Sequence, residues 1–144
     1  MADSLGARTV RHNWWAIVIA ALVYFFLGAA WFTALMQPWL AGIDRTREWL
    51  MAHNDNPGIP YVIAFVAAIG IAYALSWAIQ ITGPQTAARG ITIAIMMWLG
   101  FVLTTWATEY FFEARSLQIL AINTGYPLLG MIIEGAIIGA WKKK

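Results

Sequence analysis

The chain has 144 residues, of which 61% are hydrophobic and only 11% are charged. A typical soluble domain has about 25% charged residues, so this composition excludes an ordinary soluble fold and indicates lipid as the solvent. The formal net charge of +2 comes largely from Lys142–Lys144 and provides no basic face for a nucleic acid. With no cysteine in the chain, disulfides, thiol catalysis and thiolate metal sites are also excluded.

Four apolar segments predict four transmembrane helices, at about residues 14–36, 60–82, 88–112 and 118–141. Each is long enough to cross a hydrocarbon core of about 30 Å. Pro38 prevents simple continuation of the first helix, and the connection after it mixes apolar with charged residues. This mixture is typical of a short amphipathic helix at the membrane interface. The sequence therefore predicts an all-α fold, an integral membrane bundle of four helices in a single domain over residues 1–144.

Small residues recur at three- or four-residue steps on these helices and form narrow ridges that allow close helix packing. The ridges are Ala16, Ala20, Tyr24 and Gly28 in the first span; Ala64, Ala68, Ala72 and Ser76, and also Ala67, Gly70, Ala74 and Ala78, in the second; Gly100, Thr104 and Thr108 in the third; Gly135 and Gly139 in the fourth. The second span, with two ridges, is expected to have close neighbours on two sides. The Gly-x-x-x-Gly spacing in the fourth span is compatible with contact inside one protomer or between protomers.

The distribution of basic residues predicts the orientation of the chain. Four spans place both termini on one side, together with six basic residues: Arg8, Arg11, Arg89 and Lys142–Lys144. The opposite side has Arg45, Arg47 and Arg115. The positive-inside rule then predicts that both termini are cytoplasmic.

Glu134 is the only acid within the fourth span and lies on one helical stripe with Asn123 and Pro127. An acid inside a membrane helix is costly unless it faces protein, water or a partner charge. Counting along the helices places Ser76 level with Glu134, and Arg89 begins the third span on the same side. These residues predict an intramembrane polar site that consists of Glu134, Ser76, Arg89 and Asn123.

Two interpretations of this site remain open. In the first, Glu134 is a proton or cation site, and a proline kink bearing Asn123 lines a polar cleft. In the second, the carboxyl group is protonated, or paired with Arg89 or Ser76, and only fixes helix packing or subunit contacts.

A second candidate site is a charged cluster at the outer end of the hairpin between spans three and four, formed by Glu109, Glu113 and Arg115. Carboxylates four residues apart share a helix face, and such a pair can serve acid–base chemistry or bind a divalent cation. Two acids are few for a metal site, and the favoured interpretation is a helix-end salt bridge with Arg115. Asn13 lies where it can cap the first helix.

Several short motifs carry a resemblance to a known family. They are Asn13, Gly28–Phe32, Trp98–Phe101, Phe111–Ser116 and the segment from Asn123 to Trp141. In these residues the chain resembles the bacterial membrane family catalogued as domain of unknown function 1761. The resemblance implies a small multi-span protein and carries no assigned activity.

Two classes of function follow. The first is a non-enzymatic accessory or structural protein that packs in a homo-oligomer or a larger membrane complex. The second is a small proton- or cation-linked transporter or channel that uses Glu134 as the coupling group. We expect no catalytic residues, no cofactor and no metal. The expected partners are the lipid bilayer and other membrane chains but no nucleic acid, and the expected location is the bacterial inner membrane.

Overall fold

The computed structural model describes residues 9–143, which contain helices and connections but no strand. Seven α-helices follow one another in this part of the chain: α1 (Trp14–Ala34), α2 (Met36–Gly42), α3 (Arg47–Ala52), α4 (Ile59–Thr82), α5 (Ala87–Met97), α6 (Thr104–Phe112) and α7 (Leu117–Ala140). A π-helical segment, Trp98–Leu103, joins α5 and α6 into one continuous helix, Ala87–Phe112. This helix, α1, α4 and α7 are each long and apolar enough to cross a membrane. The predicted all-α fold with four spans is confirmed.

Polar side chains begin four of the helices. The side chains of Asn13, Thr46, Thr86 and Ser116 each accept a hydrogen bond from the backbone N–H three residues further on. These bonds satisfy donors that have no acceptor within the helix, which is the role of an N-cap. The predicted capping role of Asn13 is confirmed.

The connection between α1 and α4 contains the predicted short helix and also a second one. Pro38 lies in the first turn of α2, where a missing N–H costs no helical hydrogen bond. Asp44 then adopts a φ of 54°, which turns the chain toward α3. In α3, the carboxylate of Glu48 accepts hydrogen bonds from the Glu48 backbone N–H and from the Thr46 hydroxyl. These bonds hold the pKa of Glu48 below its usual value.

The centre of the bundle is α7, which contacts α1, α2, α4, α5, α6 and the π-helical segment. Small side chains bring the helices close together around it, and Ala20, Ala21, Ala68, Ala72 and Ala94 are completely buried. The core also contains Ile17, Leu75, Ile79 and Ile138. The ridge predicted on the first span is therefore used inside the chain.

The tightest contact is between α5 and α7, whose backbones touch. A Cβ atom at Gly90 would overlap the carbonyl oxygen of Gly135, and one at Gly139 would overlap the carbonyl oxygen of Thr86. The Gly-x-x-x-Gly spacing of Gly135 and Gly139 thus mediates contact within one chain, in agreement with the first of its two interpretations.

Candidate functional site

Glu134 lies in the middle of the packing between α1, α5 and α7. Its side chain is 0% exposed, and neither carboxyl oxygen has a hydrogen-bond partner within residues 9–143. One turn earlier, Gly130 packs against the ring of Tyr24 from α1; one residue later, Gly135 packs against α5. An ionised carboxylate without a partner would be costly at such a position.

The other residues of the predicted intramembrane site have different partners. The Ser76 hydroxyl hydrogen-bonds with Nδ1 of His12 at 3.0 Å and accepts from Nε2 of Gln80 at 3.2 Å. Arg89 donates to the carbonyl oxygen of Thr82 at the end of α4.

The predicted pairing of Glu134 with Arg89 or Ser76 is therefore wrong. Arg89 follows the tight turn after α4 and satisfies a carbonyl group that the helix end leaves open. Ser76 instead faces His12, just before the start of α1, and Gln80 of its own helix.

Asn123 belongs to a separate cluster in the half of the bundle where α6 ends and α7 begins. Its Nδ2 donates to the Tyr110 hydroxyl at 2.6 Å. On either side of it, the indole N–H groups of two tryptophans donate to backbone carbonyls of α7: Trp31 to Ile122 at 3.0 Å, and Trp98 to Thr124 at 2.8 Å.

These indole hydrogen bonds bracket the carbonyl of Asn123, which has no helical donor because the residue four positions later is Pro127. The indoles hold α7 to α1 and to the third span where the helix is interrupted. The position of Trp98 near the middle of the third span favours a packing role, whereas Trp31, near a span end, resembles the tryptophans expected at the interface.

A polar cluster at the end of the bundle where α1 begins was also not predicted from the sequence. The backbone N–H of Arg11 donates to Gln80, and the His12 ring packs 4.4 Å from the ring of Tyr73. Asn13 donates to the carbonyl oxygen of Trp141. The segment before α1 is thus fixed to α4 and to the end of α7. The four-residue spacing of Ser76 and Gln80 on one face of α4 was the available signal.

In the outer charged cluster, Glu113 forms an ion pair with Arg115, as the salt-bridge interpretation predicts. The Arg115 guanidinium also lies 5.2 Å from the ring centroid of Tyr110. Glu109 is exposed and takes no part in this ion pair. Within residues 9–143, no group of three or more His, Cys, Asp or Glu side chains is arranged to hold a metal ion.

Two small-residue faces remain uncovered. On α4, Ala67 and Gly70 are exposed, and on the third span Gly100, Thr104 and Thr108 are exposed. A Cβ atom added at Gly70 or Gly100 would meet nothing within 4 Å. Other members of the predicted ridges, such as Ala20, Ala68 and Ala72, are buried by neighbouring helices of the same chain, whereas Ala64 is also exposed.

Comparison with known families gives one match, to the family described as protein of unknown function (DUF1761), over residues 15–139. The chain belongs to this family. The match covers nearly the whole chain and includes all four spans, so the resemblance seen in the sequence is confirmed. Comparisons with curated proteins and with solved structures give no significant match. Family membership and helix composition together identify a multi-pass membrane protein of unknown function.

Proposed function

We propose that this chain is a non-enzymatic protein of the bacterial inner membrane that packs in a homo-oligomer or a larger membrane complex. The observation that carries this proposal is the pair of open glycines, Gly70 and Gly100, on faces that residues 9–143 leave uncovered. In lipid, helices associate by close packing of small residues, and a helix that only faces lipid has no need of them.

The distribution of polar groups supports a non-enzymatic role. The closest approach to a nucleophile–base pair is Ser76 with His12. Ser76 is only 2% exposed, so its hydroxyl is closed to a substrate. Its hydrogen bonds join α4 to His12, just before α1, and to Gln80 of the same helix, which is a structural task.

The distribution of charge supports the proposed orientation. Arg11, Arg89, Lys142 and Lys143 lie near one end of the bundle; Arg8 and Lys144, which were counted with them, lie outside the described residues. Because the chain has no cysteine, single cysteines can be labelled without background. Lys143→Cys should resist, and Asp55→Cys should accept, a membrane-impermeant maleimide added to intact cells; the opposite pattern would reverse the orientation.

Self-association or complex formation can be tested with bulky substitutions on the open faces. Gly70→Leu and Gly100→Leu should lower the oligomer or complex mass in native-membrane extracts, because leucine prevents close approach of a neighbouring helix. Ala30→Leu, a similar change at an exposed position of α1, should leave the mass unchanged. A monomeric wild type, or unchanged assembly in both glycine variants, would contradict the proposal.

A second function, proton- or cation-linked transport, is favoured by the buried carboxyl group of Glu134, whose two oxygens have no hydrogen-bond partner in the described part of the chain. Buried ionisable groups in membrane spans often belong to ion pathways. In reconstituted vesicles, Glu134→Gln should then abolish pH-dependent flux while assembly is retained. Glu109→Gln, at an exposed acid, serves as the control. Absence of flux in the wild-type protein would exclude this second function.

A further inference from the structure

An open cleft of about 260 Å³ lies in the connection between α1 and α4. Its walls come from the end of α2, the turn after it and the beginning of α3. The lining residues are Leu40, Ala41, Asp44, Arg45, Thr46 and Trp49. The cleft thus combines an apolar wall with one acidic and one basic side chain, and it is separate from the sites described above.

The contacts of α2 define the level of this cleft. Gly42 packs directly against the side chain of Ile119, in the first turn of α7, and Trp39 and Ile43 pack against the same cluster. The cleft therefore lies at the end of the bundle where α7 begins. A membrane-spanning helix leaves the hydrocarbon core at its end, so the cleft is level with the lipid headgroups. Trp39 and Trp49 are residues typical of that layer.

The charged groups of the cleft are held in place and can still bind a ligand. The Arg45 guanidinium lies 4.4 Å from the ring centroid of Trp49 and donates to the backbone carbonyl of Asp44 at 2.8 Å. A guanidinium has five N–H donors, so most of them remain available to a ligand. Within residues 9–143, the Asp44 carboxylate forms no salt bridge.

We propose that this cleft binds the headgroup of a zwitterionic phospholipid that carries a phosphate and a primary amine, as in phosphatidylethanolamine. Arg45 binds the phosphate, for which the guanidinium fork is suited, and Asp44 binds the ammonium group. Leu40, Ala41 and Trp49 contact the apolar part of the lipid. A simple anion fits less well, because the carboxylate of Asp44 would repel it.

The experiment measures the melting temperature of the purified full chain in neutral detergent during titration with soluble dihexanoyl lipids. Dihexanoyl phosphatidylethanolamine should raise the melting temperature more than dihexanoyl phosphatidylglycerol, and inorganic phosphate should have no effect. Arg45→Gln should weaken the apparent affinity for the ethanolamine lipid about tenfold, the effect of losing one charge-assisted interaction. Arg47→Gln removes the same charge from an exposed position of α3 outside the cleft and should leave the affinity unchanged.

Asp44→Asn provides an independent test because asparagine tolerates the positive φ of this position. It should remove the preference for phosphatidylethanolamine over phosphatidylglycerol without unfolding the protein, and it decides the question even if Arg45→Gln does not fold. Equal affinities in the wild type, Arg45→Gln and Arg47→Gln would overturn the proposal. Stabilisation by inorganic phosphate alone would instead indicate an anion site. None of these results depends on self-association of the chain.

Discussion

The contact between α5 and α7 makes Gly90→Ala the most informative test of the fold. The added methyl group would overlap the carbonyl oxygen of Gly135, a backbone atom that cannot rotate away. The two helices would have to separate along their closest contact. Overpacking in a core costs about 1–3 kcal/mol, and a backbone obstacle places this substitution near about 3. Alanine recovers about 1 kcal/mol of helix propensity, so we expect a net loss of about 2 kcal/mol.

The monomeric fraction is placed in neutral detergent micelles and titrated with sodium dodecyl sulfate. Tryptophan fluorescence reports the unfolding. Gly70→Ala is the matched control: the same methyl group on α4 meets nothing within 4 Å, so the free energy of unfolding should stay the same or rise slightly. If Gly90→Ala and Gly70→Ala unfold at the same detergent fraction, the backbone contact between α5 and α7 is refuted.

Three further predictions concern side chains. Glu134→Met should raise the free energy of unfolding by about 1 kcal/mol or more, since it removes a buried polar group that has no partner; a decrease in the same titration would reveal a polar partner. Trp98→Phe should lower stability by about 1 kcal/mol through loss of the indole hydrogen bond to α7, whereas Trp77→Phe, at a half-exposed position, should have little effect; equal effects would contradict the role of that bond. Arg115→Gln should cost less than about 1 kcal/mol, because its ion pair is partly exposed, and added salt should reduce even this difference; a larger, salt-independent loss would require another contact of this arginine.

The spans could be predicted from the sequence because every backbone group in lipid must be satisfied within a helix, which leaves a long apolar run few alternatives. The N-cap at Asn13 could also be predicted, because its hydrogen-bond partner is only three residues away in the sequence. Counting residues along a helix does not show in which direction a side chain points around the helix axis. Residue counting placed Ser76 level with Glu134, but its hydroxyl bonds to His12, just before α1, and to Gln80.

Partners between helices were harder still to predict. The spacing of Gly135 and Gly139 predicts close contact with another helix, but only the structure shows that this helix is α5 of the same chain. The π-helical segment from Trp98 to Leu103 has no recognisable sequence signature. A π turn changes the rotation of every later residue about the axis, so the faces assigned to the outer half of that span from a regular helical period are shifted.

The central position of α7 has a consequence for biosynthesis. The helix that contacts all three other spans is the fourth of them to be synthesised. The first two spans touch each other and can pair early, but the third span makes its closest contact with α7. Until α7 is inserted, Gly90 and its neighbours face lipid or an insertion factor in place of their final partner. Assembly of the four-helix bundle therefore waits for α7, and premature termination anywhere before Leu117 leaves the first three spans without their common partner.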